Sequence, residues 1–244
     1  MQKYFIDDKD FSNNEITSDD VFHIKNVMRF KVGEEILIGN NKKTYLAKIS
    51  LISSSSVKYE IIEEKIGNNE LPVFVSIFQG YPKGDKIEDI IKHGTEMGAY
   101  EFYPTIMKRC LFKLDLKKKD NKLTRFRKIA KEAAEQSFRE IIPNVVDILD
   151  LKNVDFSKYD YKILCYEESA KNNENSNFKN IIKNLKNNDS LSIVIGPEGG
   201  INEKEVDYLL SIGFIPYALG KRILRTETVY SYVLSAISYE MELK

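Results

Sequence analysis

The chain has 244 residues, of which 42% are hydrophobic, and its formal net charge at pH 7 is zero, so it can bury one large core or two modest ones. No apolar run approaches the length of a membrane span, the N-terminus lacks the apolar core of a signal peptide, and two distant cysteines with two histidines give no metal-site spacing. We therefore expect a cytoplasmic protein with free thiols at Cys110 and Cys165, without membrane attachment and without a bound metal.

The dipeptide Leu71-Pro72 divides the chain into two predicted domains, residues 1–70 and residues 71–244. In the first domain, short β-rich runs alternate with turn residues, at positions 35–38, 44–51 and 57–66. This alternation predicts a small β-barrel.

In the second domain, predicted strands alternate with helices. The strands are expected at residues 73–78, 101–106, 162–166, 191–195 and 214–219. A helix is expected over residues 85–97, with Asp85 and Glu88 as a capping box and Gly98 as its C-terminal stop. This order favours a parallel sheet with helices on both faces. The Asn- and Lys-rich stretch 167–189 predicts a surface loop and helix.

Two glycine-bearing loops follow strands near the C-terminus. The first glycine loop, residues 195–200, reads Ile-Gly-Pro-Glu-Gly-Gly and precedes a helix that Asn202 and Glu205 can cap. The second glycine loop, residues 219–228, reads Leu-Gly-Lys-Arg-Ile-Leu-Arg-Thr-Glu-Thr, and its Thr226 opens a final helix. Both loops are expected at the same end of one sheet, where open α/β sheets bind ligands.

The charge of these loops restricts the class of ligand that can bind between them. Neither a dinucleotide fingerprint nor a Walker sequence occurs here, and Glu198 would repel phosphate. A flat, aromatic and cationic ligand fits better than a nucleotide di- or triphosphate. The alternative is that the glycines only form tight turns. The crowding of three basic residues and two threonines around Glu227 favours a bound partner.

The two loops resemble the cofactor-binding signature of the knotted SPOUT methyltransferases, specifically the family that methylates N3 of a uridine in small-subunit (16S) ribosomal RNA. The resemblance covers nearly the whole chain. It includes residues 83–86 (Lys-Gly-Asp-Lys), 95–98 (Thr-Glu-Met-Gly), 108–110 (Lys-Arg-Cys) and 132–137 (Glu-Ala-Ala-Glu-Gln-Ser), followed by Arg139 and Pro143. His93 and the pair Val229-Tyr230 depart from the family pattern.

The resemblance implies a PUA-like RNA-binding barrel in residues 1–70 and a SPOUT domain with a trefoil knot in residues 71–244. It also implies S-adenosylmethionine as cofactor and a homodimer in which a second subunit completes the cofactor loops. The cofactor-binding residues that it implies are Tyr166, Ile195, Gly196, Glu198, Gly199, Gly200, Leu219, Gly220, Ile223, Leu224, Thr226 and Thr228. We expect the apolar residues of the final helix to form the dimer interface: Tyr230, Val233, Leu234 and Ile237.

Local charge supports an RNA partner despite the zero net charge. Between Lys108 and Lys131 there are eleven basic residues and two acidic ones, which gives this segment a net charge of +9. A solvated charge run is the alternative interpretation. With the resemblance, the expected partner is 16S ribosomal RNA within the small ribosomal subunit, contacted through Arg29, Lys83, Arg109, Lys117, Lys118, Lys119, Arg139 and Arg222.

The chemistry of uridine methylation suggests two catalytic residues. Because N3 of uridine carries a proton at neutral pH, the enzyme must remove it or stabilise the anion left on the ring. Arg225 could stabilise that anion, and Glu227 could orient Arg225 or act as the base. Two other functions remain open at this stage: a non-catalytic RNA-binding protein, and a methyltransferase that acts on a ribose 2′-hydroxyl or a purine.

Overall fold

A computed structural model describes residues 1–40, 42–111, 116–166 and 177–243. The chain divides into two compact units between Glu70 and Leu71. The first unit contains Met1–Glu70 together with Ala134–Ile142, and the remaining described residues form the second. Residues 134–142, which the sequence assigned to the second domain, therefore pack within the first unit.

The first unit contains a five-stranded sheet with the order β1-β3-β4-β5-β2 among its described residues. Its strands are β1 (Lys3–Phe5), β2 (Glu15–Ile16), β3 (Glu35–Asn40), β4 (Lys43–Ile52) and β5 (Val57–Lys65). β1 pairs with β3 in parallel, whereas the other pairs are antiparallel. Two register shifts interrupt the β4–β5 ladder, and such bulges bend a sheet. Apolar side chains such as Ile36, Ile38 and Val57 form its core.

Short helical segments connect β1, β2 and β3. Helix α1 spans Asp8–Asn13 and is capped by Asp7, and helix α2 spans Asp20–Phe22, with a π-helical turn at His23–Val27 directly after it. Arg29 follows this turn with a φ of 54°, which is uncommon for a residue other than glycine.

A buried polar network holds residues 134–142 within the first unit. The Arg139 side chain is 2% exposed and forms an ion pair with Glu70. Lys3 Nζ donates to the Arg139 carbonyl oxygen at 2.5 Å and to Thr44 Oγ1 at 2.6 Å. Buried charges are stable only when they are paired in this way. The prediction that Arg139 contacts RNA is therefore wrong for this conformation, because its guanidinium is enclosed by protein.

The second unit contains a parallel sheet with the order β12-β10-β11-β6-β7-β8, and β9 also pairs with β7. Its described strands are β6 (Phe74–Gly80), β7 (Glu101–Ile106), β8 (Asn144–Val145), β9 (Leu149–Asp150), β10 (Tyr161–Cys165), β11 (Ser190–Ile195) and β12 (Ile215–Tyr217). Its described helices are α3 (Lys86–Glu96), α4 (Leu116–Gln136, which ends in the first unit), α5 (Asn177–Asn184), α6 (Glu203–Ser211) and α7 (Thr226–Ser238), and α7 continues as a π-helical turn at Tyr239–Leu243. The predicted alternation of strands and helices is confirmed.

Helices cover both faces of this sheet, as predicted. Strand residues such as Val75 and Ile77 face one core, to which helices α3, α4, α5 and α7 contribute. Strand residues such as Phe78 and Val194 face a second core, which α6 helps to form. The apolar residues of α7 that were expected at a dimer interface belong to the first of these cores: Tyr230, Val233, Leu234 and Ile237. That expectation is wrong, because their helical spacing reflects packing against the sheet and α3.

Local signals set two helix ends as predicted. Asn202 and Glu205 form the predicted capping box of α6. Gly98, with a φ of 93°, ends α3 as predicted, since the N–H groups of Gly98 and Ala99 bind the carbonyl oxygens of Thr95 and Gly94.

The predicted capping box of α3 is wrong. Asp85 makes no side-chain cap hydrogen bond, and the Glu88 carboxylate instead accepts from Arg125 at 2.7 Å. The last strand is also shorter than predicted. β12 spans Ile215–Tyr217 at the edge of the sheet, a position where a strand tolerates Pro216. None of the described helices is long and apolar enough to cross a membrane.

Candidate functional site

Four neighbouring strands of the second unit end at one edge of the sheet. Ile195, the last residue of β11, pairs with Cys165 of β10 and with Gln79 of β6, and Cys165 pairs with Tyr217 of β12. The first glycine loop follows β11 and the second follows β12, so the structure brings both loops together at the carboxyl edge. This is where α/β sheets bind ligands.

The two glycine loops line a cleft of about 610 Å³. Its lining also includes Lys86, Arg109, Cys165 and Tyr166. The predicted cofactor residues all line this cleft except Thr228, and Arg225 and Glu227 lie in it as well. Thr228 instead borders a groove between α5 and α7. It is two residues after Thr226 on a helix, so its side chain points about 200° away from that of Thr226.

Glycine is required at specific positions of the first loop. A Cβ atom on Gly199 would lie 3.1 Å from the carbonyl oxygen of Arg109, and Gly200 has a φ of 70°. A side chain at Gly199 would push against main chain, and one at Gly200 would be strained. These two residues therefore keep the backbone of the loop close to Arg109.

A buried, uncharged link joins the two loops. Thr226 Oγ1 donates to the Gly196 carbonyl oxygen at 2.6 Å, and Gln79 Nε2 donates to Thr226 Oγ1 at 2.8 Å. Gln79 is 1% exposed, and its Oε1 accepts no hydrogen bond within the described chain. Gln79 was not among the predicted site residues. Its sequence signal is an amide near the carboxyl end of a mostly apolar strand.

A charged link joins the same loops nearer to solvent. Lys86 Nζ lies 3.0 Å from Glu198 Oε1 of the first loop and 3.2 Å from the Glu227 carboxylate of the second. The Glu198 carboxylate also accepts from the Lys83 backbone N–H at 3.1 Å. The sequence analysis did not assign Lys86 to the site, although it lies within one of the matching motifs.

This link shifts the pKa values of its members. Hydrogen bonds to Glu198 and to Glu227 raise the pKa of Lys86. Burial opposes ionisation of Glu198, but backbone hydrogen bonds and Lys86 hold its pKa below the usual value. The pKa of Glu227 is lowered by a backbone hydrogen bond, by Lys86 and by the positive charge of Arg225. All three groups are therefore charged at neutral pH.

Arg225 precedes the first turn of α7 and is exposed. Its extended backbone, with φ −67° and ψ 150°, begins the helix without a side-chain cap. A guanidinium at a helix N-terminus adds to the positive end of the helix dipole. The arrangement therefore places positive charge beside the cleft, where Arg222 is also exposed.

Arg109 supports the first glycine loop. Its guanidinium donates to the carbonyl oxygens of Gly199 and Ile201 at 3.4 and 3.2 Å and lies 3.7 Å from Glu203. The predicted RNA contact of Arg109 stays a prediction, since its side chain is partly exposed.

The other predicted RNA-binding residues lie on several elements. Arg29 is exposed in the first unit, and Lys83, Lys117 and Lys118 are exposed in the second. Lys119 Nζ donates to Asp147 at 2.6 Å. Residues 112–115, which belong to the basic segment 108–131, lie outside the described residues. The structure therefore brings the cofactor candidates into one cleft but distributes the RNA candidates over both units.

Comparisons with known proteins agree with this geometry. A family model described as an RNA methyltransferase domain matches residues 69–238, and one described as an RNA methyltransferase PUA domain matches residues 16–62.

Three relatives resemble the chain over most of its length. The Bacillus subtilis ribosomal RNA small subunit methyltransferase E is 43% identical over 100% of this chain and 98% of its own. The protein of that name from Mesomycoplasma hyopneumoniae is 34% identical over 96% of this chain and 98% of its own. A Legionella pneumophila structure with bound S-adenosylmethionine has a TM-score of 0.82 at 26% identity, covering 92% of this chain and 90% of the other. With a PUA-like first unit and a parallel α/β second unit, the chain belongs to the RNA methyltransferase family that includes ribosomal RNA small subunit methyltransferase E.

Proposed function

We propose that this protein transfers a methyl group from S-adenosylmethionine to N3 of a uridine in 16S ribosomal RNA, in the cytoplasm. The observation that carries this proposal is the cleft between the two glycine loops, together with 43% identity to a ribosomal RNA small subunit methyltransferase E over the whole chain. The assignment of N3 of a uridine as the methylated atom rests on the resemblance of the motifs.

The cleft fits S-adenosylmethionine by size and by chemistry. Pockets of about 300–1,000 Å³ hold ligands of this class, and the cleft measures about 610 Å³. Gly220, with a φ of 101°, has open space around it, so a ligand can approach the backbone there.

When bound, S-adenosylmethionine supplies an electrophilic methyl group. The residues proposed to hold it are Tyr166, Ile195, Gly196, Gly199, Gly200, Leu219, Gly220, Ile223 and Leu224, with Thr226 and Glu198 as fixed points of the two loops.

Arg225 is proposed as the residue that acts on the substrate base. Its exposed guanidinium at the start of α7 would face a uracil oxygen and stabilise the negative charge that appears when N3 loses its proton. Glu227 is a weak base here, because its pKa is lowered and its carboxylate binds Lys86. Of its two suggested roles, orientation is therefore favoured over proton removal.

RNA binding is proposed for both units. Arg29 of the first unit and the exposed lysines of α4 would neutralise backbone phosphates, as basic side chains do in most RNA complexes. In this proposal, residues 1–70 serve as the PUA-like RNA-binding domain and residues 71–244 as the catalytic domain. The trefoil knot of the second domain stays a prediction.

A homodimer is also proposed. The groove between α5 and α7, of about 1,100 Å³, exposes Tyr232 and Tyr239 and is lined by Ala218–Lys221 at its edge. Residues 219–221 also line the cofactor cleft, so a second subunit seated in this groove would contact the second glycine loop. This supports a dimer in which each subunit completes the other's cofactor site.

Small ribosomal subunits from a strain that lacks the protein provide the test. Incubation with enzyme and labelled S-adenosylmethionine should place a methyl group on 16S RNA, and mass mapping of the nucleosides should identify N3-methyluridine. A label on a ribose 2′-hydroxyl or on a purine would contradict the uridine assignment. RNA binding without any binding of S-adenosylmethionine would show a non-catalytic RNA-binding protein instead.

A further inference from the structure

We propose that Lys86 is a positioning residue that draws the two glycine loops together by binding one carboxylate from each, and thereby sets the affinity of the cleft for S-adenosylmethionine. The inference rests on the proposed function, since the ligand of the cleft is taken from it. The link itself is a feature of the chain and can be tested without the ligand.

The geometry of Lys86 supports a bridging role. Lys86 is the first residue of α3, and its ammonium group lies 3.0 Å from Glu198 and 3.2 Å from Glu227. Glu198 is at the centre of the first glycine loop, and Glu227 is in the first turn of α7, within the second. One cation from a third element therefore contacts both loops.

Repulsion between the two carboxylates explains why Lys86 is needed between the loops. Glu198 and Glu227 carry the same charge and approach the same ammonium group, so they would repel each other without it. The Glu198 carboxylate is also bound by the Lys83 N–H, which fixes it to the loop before α3. Loss of the Lys86 charge would remove the cation that binds both carboxylates. The positive charge of Arg225 also acts on Glu227, but Arg225 belongs to the second loop itself and does not connect the two loops, so the second loop could move away.

Lys86 should affect the cleft and not the stability of the fold. Its side chain is 37% exposed, and ion pairs at such positions contribute little to stability. The buried link through Gln79, Thr226 and Gly196 remains in its absence. The protein should therefore fold normally while the outer parts of both loops become less ordered, and ligand binding must then order them.

Calorimetry of S-adenosylmethionine binding to Lys86→Met provides the main test. The methionine keeps most of the length of the side chain and removes the charged ammonium group. We expect the dissociation constant to rise roughly tenfold, as for the loss of preorganisation of one or two side chains, with an unchanged melting temperature. Lys86→Arg should restore most of the affinity. Lys92→Met, an exposed lysine on the same helix, should bind like the wild type.

A double-mutant background shows whether Lys86 acts through the two carboxylates. In a Glu198→Gln, Glu227→Gln protein, the further change Lys86→Met should alter affinity by less than about twofold, because the interaction is already absent. A full tenfold loss in that background would mean that Lys86 contacts the ligand directly, and this would overturn the inference. Wild-type affinity in the single variant Lys86→Met would overturn it as well.

Hydrogen exchange separates this inference from the proposed function. Without any ligand, Lys86→Met should increase exchange in residues 196–200 and 219–225, and Lys86→Arg should not. If the wild type bound no S-adenosylmethionine, the proposed function would fail, while increased exchange would still support the link. Unchanged exchange in both loops would refute the link whatever the ligand is.

Discussion

The Thr226 hydroxyl donates a hydrogen bond to the carbonyl oxygen of Gly196 at 2.6 Å, 30 positions earlier in the chain. The same hydroxyl accepts from the Gln79 amide, so one side chain connects the start of α7, the first glycine loop and strand β6. The side chains of Thr226 and Gln79 therefore hold the two loops together at the carboxyl edge of the sheet.

Replacing Thr226 by valine should destabilise the protein. The isosteric change leaves the Gly196 carbonyl and the Gln79 amide without their partner in a buried environment, which costs about 1–3 kcal/mol. Urea unfolding measures this loss. Thr228→Val, on the exposed side of the same helix, should change the free energy of unfolding by less than about 0.5 kcal/mol. Equal stability of the two variants would contradict the role of the buried link.

Bulky residues in the first glycine loop should remove binding of S-adenosylmethionine from a folded protein. A valine at Gly199 would collide with the Arg109 main chain, and a valine at Gly200 would be strained at φ 70°. Calorimetry decides the outcome. Gly200→Asn is the control, because asparagine tolerates this backbone conformation and should retain measurable binding. Unchanged affinity in a folded Gly200→Val protein would place the cofactor elsewhere.

Arg225→Ala should slow methyl transfer without weakening cofactor binding. If the guanidinium stabilises charge that develops on the uracil ring, its loss should lower the single-turnover rate by roughly 10²–10³. Saturating RNA and cofactor isolate the chemical step. Lys204→Ala, an exposed cation on α6, serves as the control. A variant that only raises the RNA dissociation constant would show that Arg225 positions the RNA.

Removal of two positive charges from α4 should act on RNA affinity alone. Lys117 and Lys118 are exposed in the basic run, and replacing both by glutamine should weaken binding and reduce the salt dependence. For single-stranded RNA the slope should fall by about 0.7 for each phosphate contact that is lost. The rate at saturating RNA should stay unchanged. An unaltered salt slope would show that this part of α4 does not contact phosphates.

Light scattering at micromolar concentration should give the mass of a dimer. The residues to test are Tyr232 and Tyr239, since both are exposed in the groove between α5 and α7. Replacing both by aspartate should shift the protein toward the monomer, because burial of a charge at an interface is unfavourable. Leu210→Asp, an exposed leucine on α6, should leave the mass unchanged. A monomeric wild type with full activity would contradict the dimer.

Local sequence patterns were sufficient to predict the architecture and the position of the site. Apolar runs and their spacing predicted most strands and helices of the second unit. The spacing of apolar residues depends on one segment of the chain alone, so it can be recognised before the fold is known. Gly98 and the capping pair Asn202 and Glu205 fixed helix ends for the same reason. The glycine loops could be located because glycine marks positions where backbone must turn or come close to a ligand.

Contacts between side chains of distant segments could not be predicted without the three-dimensional fold. Lys86 lies 112 positions from Glu198 and 141 from Glu227, and no local pattern predicts contacts over such separations. Arg139 could be identified as a basic residue but not as a buried one, since its burial depends on Glu70 and Lys3 from distant strands and turns. Tyr230 and Val233 were predicted to be apolar face residues, but which partner covers that face depends on the fold. Burial and charge pairing arise from packing between segments, and the spacing of residues along one segment cannot specify them.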